Sequence, residues 1–501
     1  MKSTFLLDNF FAKGSPHPDR LLNFRFAEEE PPFLPGRKVR QLASTDRIGM
    51  IIIPRFVGVL IRTCLAGMVA LAVCTSADGK VATWTGKGSL NDLMDPANWR
   101  ENQPPGQGDE ADFSPAGEEP ITLAGDVSIG TIRMQDPASG LGASMLNLHL
   151  DKHTLDLLGG PGTAETSAQL VITAGFGVPS ELVIRGGILR LRNFTLQGKI
   201  DNEPGVLRLE EAAVLESSGA GSIGFLEGSG VVRVTGGARW IRHGAGWQIV
   251  LGHWGAASGL LEIRGSGSAF EGLSEDEFDP TRLGLVVTGY HGNGEIQISE
   301  GGSFESDVVT MGGNQFTKDS AGSGSVGVEG VGSSFRAKYL YVGGGLLSVL
   351  QPATASGSAR FYIRNGAKAE VGSLHVLTNL EAGRCGSVSI EGGSLMAGID
   401  GSPKAVVRFS PNSELAIRLG KGMSDPPFQA GNLDITGARL VLTVDDGFQA
   451  KSGEAIPLVS YFQLEGEFIG LVEGETIEAG KHKFVINYRL GGQNVIGLSV
   501  P

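Results

Sequence analysis

Four stretches decide the fold: GVVRVTGG at Gly230–Gly237, GLLEIRGS at Gly259–Ser266, GEIQISEGG at Gly294–Gly302 and GSVGVEGVG at Gly324–Gly332. Each opens on glycine, runs through a short apolar-rich segment and closes on a Gly-containing turn, which is how a strand between tight corners reads. Further copies start at Gly357 (GSARFYIRNG) and Gly386 (GSVSIEGG), with a weaker one, GVLRLEEA, at Gly205. The start-to-start spacings are 25, 29, 35, 30, 33 and 29 residues, one structural unit with loop insertions. A bulky residue follows the early turns at Trp240, Phe270, Phe304 and Phe335 and again at Leu395, whereas the Gly357 copy offers only Ala367 and Ala369. A second apolar run then ends at Gly252, Gly289, Gly312 and Gly343. One unit has too little apolar area to fold alone; stacked copies bury continuous columns, here Val231 above Leu260 above Ile296.

Composition points the same way. Of 501 residues 77 are glycine and only 19% are charged, and no long amphipathic helical pattern follows residue 80. The formal charge is −13, and without residues 1–77 the body keeps 31 basic against 48 acidic side chains, a net −17. Such a surface repels phosphate backbones, and no Lys/Arg cluster offsets it, so nucleic acid is not an expected partner. Cys64 and Cys74 precede the body, which leaves Cys385 alone and allows no intrachain disulfide there.

From Met50 the chain runs MIIIPRFVGVLIRTCLAGMVALAVCTSADG, with Arg55 and Arg62 ahead of an uncharged run, Thr63 to Ala77, that closes on small residues. That order is a secretory signal, and the run falls short of the ~20 apolar residues of a membrane span. Thr75 and Ala77 place cleavage before Asp78, and Leu71-Ala72-Val73-Cys74 offers lipidation at Cys74 as the alternative, although Val73 departs from the lipoprotein pattern. Residues 1–49 read as an unstructured or mis-annotated leader, with translation starting at Met50. The mature chain is therefore expected outside the cytoplasm, secreted, periplasmic or at the cell surface, with no transmembrane span.

The units resemble the Gly-rich β-repeats of autotransporter passenger regions and of secreted bacterial proteins with Pro-Glu-Pro sorting tails, over about residues 180–400. Two flanks are similar as well: ATWTGKGSLNDLMDPANWRENQPPGQGDEADF, residues 82–113, with its Asn-Trp step and Pro-Pro-Gly-x-Gly-Asp turn, and a closing segment from Asn432 to Leu471 followed by FVINYRLGGQNVIGLSV. The sequence through Pro501 shows neither the membrane barrel of autotransporters nor the apolar tail of the sorting-tail proteins. Units and resemblance together imply an all-β chain: an elongated right-handed β-solenoid (β-helix) of imperfect 25–35-residue repeats. The expected order is a signal peptide at 50–77, an N-terminal β segment at 78–119, solenoid repeats at 120–400 and a β-rich cap at 401–501.

No motif carries an obvious chemistry. Gly-x-Gly-x-x-Gly occurs at Gly219-Gly221-Gly224 and at Gly322-Gly324-Gly327, but neither opens a helix that could hold a phosphate. His149 and His153 sit in an alternating segment that argues for a strand, without an acidic partner for zinc. The acidic run Ser274–Pro280 lacks the alternation of calcium loops and reads as a solvated insertion. No compact acidic set and no Gly-x-Ser-x-Gly elbow is present. The remaining cluster is Trp240, Trp247 and Trp254, with His243 and His253 beside them. Trp240 holds the repeat's bulky position, which leaves Trp247 and Trp254 as candidate binding residues that could stack on sugars, although aromatics mostly fill cores. The expectation is a non-catalytic structural or adhesive surface module with no cofactor or metal, whose partner would be a cell-envelope or extracellular polysaccharide. A polysaccharide-active β-helix lyase or hydrolase is the alternative.

Overall fold

The structure, a computed structural model, describes residues 79–501 apart from 114–118, 136–144, 160–167, 175–178, 199–202, 245–246, 274–283, 314–321, 345–356, 380–383, 399–404 and 422. The leader, the signal segment, Cys74 and the acidic run at 274–280 thus lie outside the described residues. The protein is all-β: among the described residues there are 35 strands, two single-turn 3-10 helices and no α-helix. No helix there is long and apolar enough to cross a membrane.

Nearly every strand pairs in parallel with one a single unit further along. The strands Gly205–Glu210, Ser229–Thr235, Ser258–Arg264, Asn293–Ser299, Ser323–Glu329 and Ser358–Arg364 form one such ladder. Val214–Ser217, Arg239–Arg242, Ala269–Gly272 and the first half of Ser303–Met311 form a second. A third joins Gly221–Ile223, Gln248–Leu251, Leu285–Thr288 and the second half of Ser303–Met311. The second and third merge at Asp307, a fully buried carboxylate that accepts from Gly284 N at 2.8 Å and Lys338 Nζ at 2.9 Å.

Register follows the pleat, because a one-residue slip would turn every apolar side chain outward. Leu207, Val232, Leu261, Ile296, Val326, Phe361 and Val388 form one buried column. The expected stacking of Leu260 on Ile296 is therefore displaced by one: Leu261 meets Ile296, while Leu260 stands beside Glu295 on the outer side. In GLLEIRG two adjacent leucines compete for the inward place, and alternation alone does not choose between them. Similarly the partner of Gly324 is Ala359, so the copy assigned to Gly357 starts two residues late. The bulky positions behave as their spacing indicates, with Trp240 paired to Phe270, Phe270 to Phe304 and Phe304 to Phe335.

Outside, Arg–carboxylate pairs such as Arg233–Glu262 (3.1 Å), Arg264–Glu300 (2.7 Å) and Arg364–Glu391 (3.0 Å) tie adjacent ladder members together. Exposed pairs of this kind contribute little to stability. A one-residue slip would set Arg233 opposite Leu261 or Ile263 in place of Glu262, so that pair favours this register.

The parallel pairing begins at Val81–Thr83 and runs past residue 400, where the cap was expected, as far as Ala455–Glu465. Antiparallel pairing then takes over: Ala455–Glu465 with Val495–Ser499, and Thr476–Ala479 with His482–Asn487. Gly-rich punctuation fades after residue 400 while the apolar alternation persists, which is why the sequence places this boundary early. The quoted N-terminal motifs also have local roles. The Asn98 side chain donates to the Leu90 carbonyl (2.6 Å) and accepts from Gly88 N (2.7 Å), while Trp99 packs edge-on against Trp84 at 5.2 Å. Asp109 closes the Pro-Pro-Gly turn by accepting from Gly106 N at 2.8 Å.

Candidate functional site

From the second strand of the first ladder onward, four strands open on a small polar residue followed by glycine, Ser229-Gly230, Ser258-Gly259, Asn293-Gly294 and Ser323-Gly324, and the next on Ser358-Ala359. These positions stand in direct register. The glycines are required by close approach rather than by a special φ. A Cβ on Gly294 would lie 2.2 Å from the amide nitrogen of Gly289, the corner of the same turn of chain. Gly289 itself sits at φ 71°, the left-handed region in which L side chains are strained.

Along the start of this ladder the outer surface holds a groove of about 710 Å³. Its one side carries Ser229, Ser258, Asn293, Ser323 and Ser358, and its other the outward second positions Val231, Leu260, Glu295, Ser325 and Arg360. Ser229 and Ser258 share a hydroxyl hydrogen bond at 2.8 Å, and Ser323 Oγ donates to Asn293 Oδ1 at 2.6 Å. A hydroxyl keeps further donor or acceptor capacity after one such bond. Among the residues lining the groove, Glu295 is the one carboxylate and Arg360 the one cation.

An aromatic corner precedes these strands along the chain. The turn glycines Gly224, Gly252 and Gly289 are followed by Phe225-Leu226, His253-Trp254 and Tyr290-His291, and the chain then re-enters the ladder at Ser229, Ser258 and Asn293. Trp254 stacks on His291 at 4.7 Å and on His253 at 5.5 Å, while Tyr290 packs edge-on to His253 at 5.2 Å. His253 Nδ1 lies 3.1 Å from Ser222 Oγ. Burial, helped by the neighbouring His291, pushes the His253 imidazole down to about 4, and burial lowers that of His291 as well. At neutral pH the corner is accordingly an uncharged aromatic surface.

The two tryptophans singled out from sequence part company here. Trp247 is only 3% exposed: it packs edge-on to Phe270 at 6.2 Å, under Arg242 at 4.7 Å, and against the backbone of Gly272 and Gly284. It offers no face to a ligand, so its candidacy is withdrawn. The pairing of Gln248 with Leu285 sets the direction, drawing the preceding Trp247 under the first residue of the neighbouring run, Gly284. Arg242 is itself buried, donates to Ser217 Oγ at 2.6 Å, and has a guanidinium pushed down to about 9 by desolvation. Trp254 is half-buried and stacked on His253 and His291. The side chains the sequence did not single out are Asn293, Glu295 and the serines of the groove and Tyr290 and His291 of the corner; the corner's signal was a Gly followed by two bulky residues, GFL, GHW and GYH.

The two histidines weighed for metal have separate neighbours, His149 near Arg185 (3.4 Å) and His153 near Asp126 (3.7 Å). Around Arg185 and Arg208 the carboxylates of Glu181 and Glu210 also gather, but each is held by an arginine. In the groove Glu295 accepts from Gln297 Nε2 at 3.0 Å and has no second carboxylate beside it among the lining residues. Glycoside hydrolysis ordinarily needs two carboxyl groups flanking the bond. The groove is therefore equipped to hold a ligand through neutral polar groups. Compared with protein-family models, curated proteins and solved structures, the chain matches none.

Proposed function

We propose that this is an exported, non-catalytic structural or adhesive protein of the cell surface, wound as a right-handed β-solenoid. The observation that carries the reading is the set of three parallel ladders, the first of which bears an outer groove whose lining holds a single carboxylate. The hand rests on the general rule that crossovers between parallel strands are right-handed. Export rests on the charged, apolar and small-residue order of residues 50–77. A long face of repeated weak contacts suits adhesion or coating of an envelope, and it needs no placed acid and base.

The test combines location and activity. Antibody labelling and protease shaving of intact native-host cells should reach the protein, and purified protein should leave neutral and acidic polysaccharides undegraded. Release of new reducing ends, lost on Glu295→Gln, would overturn the non-catalytic reading; labelling only after cell lysis would overturn the surface one.

A further inference from the structure

We infer that the groove holds an extended, neutral polysaccharide lying across the strands, one sugar ring to each ladder member. The inference rests on the non-catalytic reading above and adds the site and the chemistry of its occupant.

Spacing is the first argument. Neighbouring strands lie ~4.8 Å apart, so Ser229, Ser258, Asn293, Ser323 and Ser358 repeat a polar group along roughly 19 Å. That interval is close to the advance of one pyranose ring in an extended β-linked chain. A peptide strand advances only about 3.3 Å per residue and falls out of step with it. Charge is the second. In a chain of net −13 a polyanion would need a run of cations, yet the groove lining has Arg360 against Glu295. Hydroxyl and amide groups that both donate and accept match the hydroxyls of a neutral sugar. The third argument is the aromatic corner, neutral at neutral pH because burial lowers both of its imidazoles. Its Leu226, Trp254 and His291 precede Ser229, Ser258 and Asn293 of the lining by two to four residues along the chain.

Calorimetric titration of the purified full chain with cello-, xylo- and manno-oligosaccharides of two and six rings, and with polygalacturonate, tests this. At least one hexasaccharide should bind saturably, at least about tenfold more tightly than its disaccharide, because additional rings reach additional rungs. Ser325→Arg, on the outer surface, should weaken that binding about tenfold, as should Trp254→Ala, with circular dichroism unchanged. Binding of no neutral hexasaccharide, tighter binding of polygalacturonate, or unchanged affinity in Ser325→Arg would overturn the inference while leaving a structural role standing. Shortened oligosaccharides recovered from the cell would instead overturn the non-catalytic reading and leave the groove assignment intact.

Discussion

The rings of Phe304 and Phe335 lie 5.3 Å apart and within 2° of parallel, in the middle of a column that Phe270 extends at 4.8 Å. The column then meets Ala369, and Phe361, from the neighbouring buried column, leans to within 5.1 Å of Phe335. Volume missing at one position is supplied from the next. Phe335→Ala should cost about 3–5 kcal/mol in urea unfolding. Ala369→Phe alone should overpack by about 1–3 kcal/mol and should be relieved when combined with Phe361→Val; additive single and double variants would remove the compensation.

The glycines separate into two mechanical kinds. Gly237 has φ 78° and open space where a Cβ would stand, so Gly237→Ala should cost only about 1–2 kcal/mol of backbone strain. Gly294→Ala forces a carbon to within 2.2 Å of Gly289 N and should cost about 3 kcal/mol or more, since the backbone must part. Hydrogen exchange should speed up on both sides of Gly294 in that variant. Equal melting shifts for the two would contradict the steric account.

Acid should weaken the protein through two buried imidazoles. Burial, seconded by His291 for one and Arg408 for the other, lowers His253 and His375 from 6.5 to about 4. Between those values the unfolded chain takes up protons that the folded chain refuses, so stability falls as pH drops from about 6.5 to about 4 and is fully present above. Each imidazole accounts for roughly 3 kcal/mol of that loss. The double variant His253→Gln/His375→Gln should flatten this part of the profile in denaturant titrations at pH 7 and 4.5, relative to the parent.

Of the five tryptophans, Trp84, Trp99, Trp240 and Trp247 are buried at 5% exposure or less, and Trp254 alone is half-buried. Acrylamide should quench one minor, red-shifted component of the fluorescence, and Trp254→Phe should abolish it. A quenchable component that survives the substitution would mean that another indole reaches solvent.

What the sequence disclosed and what it concealed divide along a physical line. Trp240, Phe270, Phe304 and Phe335 were legible as partners because a fixed offset from a turn survives any loop length between units. Leu260 was misplaced because Leu261 beside it is equally apolar, and only the partner strand decides which of them turns inward. The groove was hidden, since Ser229, Ser258, Asn293 and Ser323 are unremarkable serines and an asparagine until the ladder aligns them. Trp247 misled for the opposite reason: it stands outside the repeat's bulky position, while Gly284, 37 residues on, supplies the hollow that receives its ring.

The backbone bonds of the ladders all run from one member to the next, and most of the outer ion pairs run with them, joining residues 23 to 36 positions apart. Tension applied from end to end would load each of these links head-on and in series. The weakest would open first and release its own stretch of chain while its neighbours stayed shut. A chain built this way should lengthen in small steps under load instead of failing at once, and should close again, member on member, when the pull relaxes.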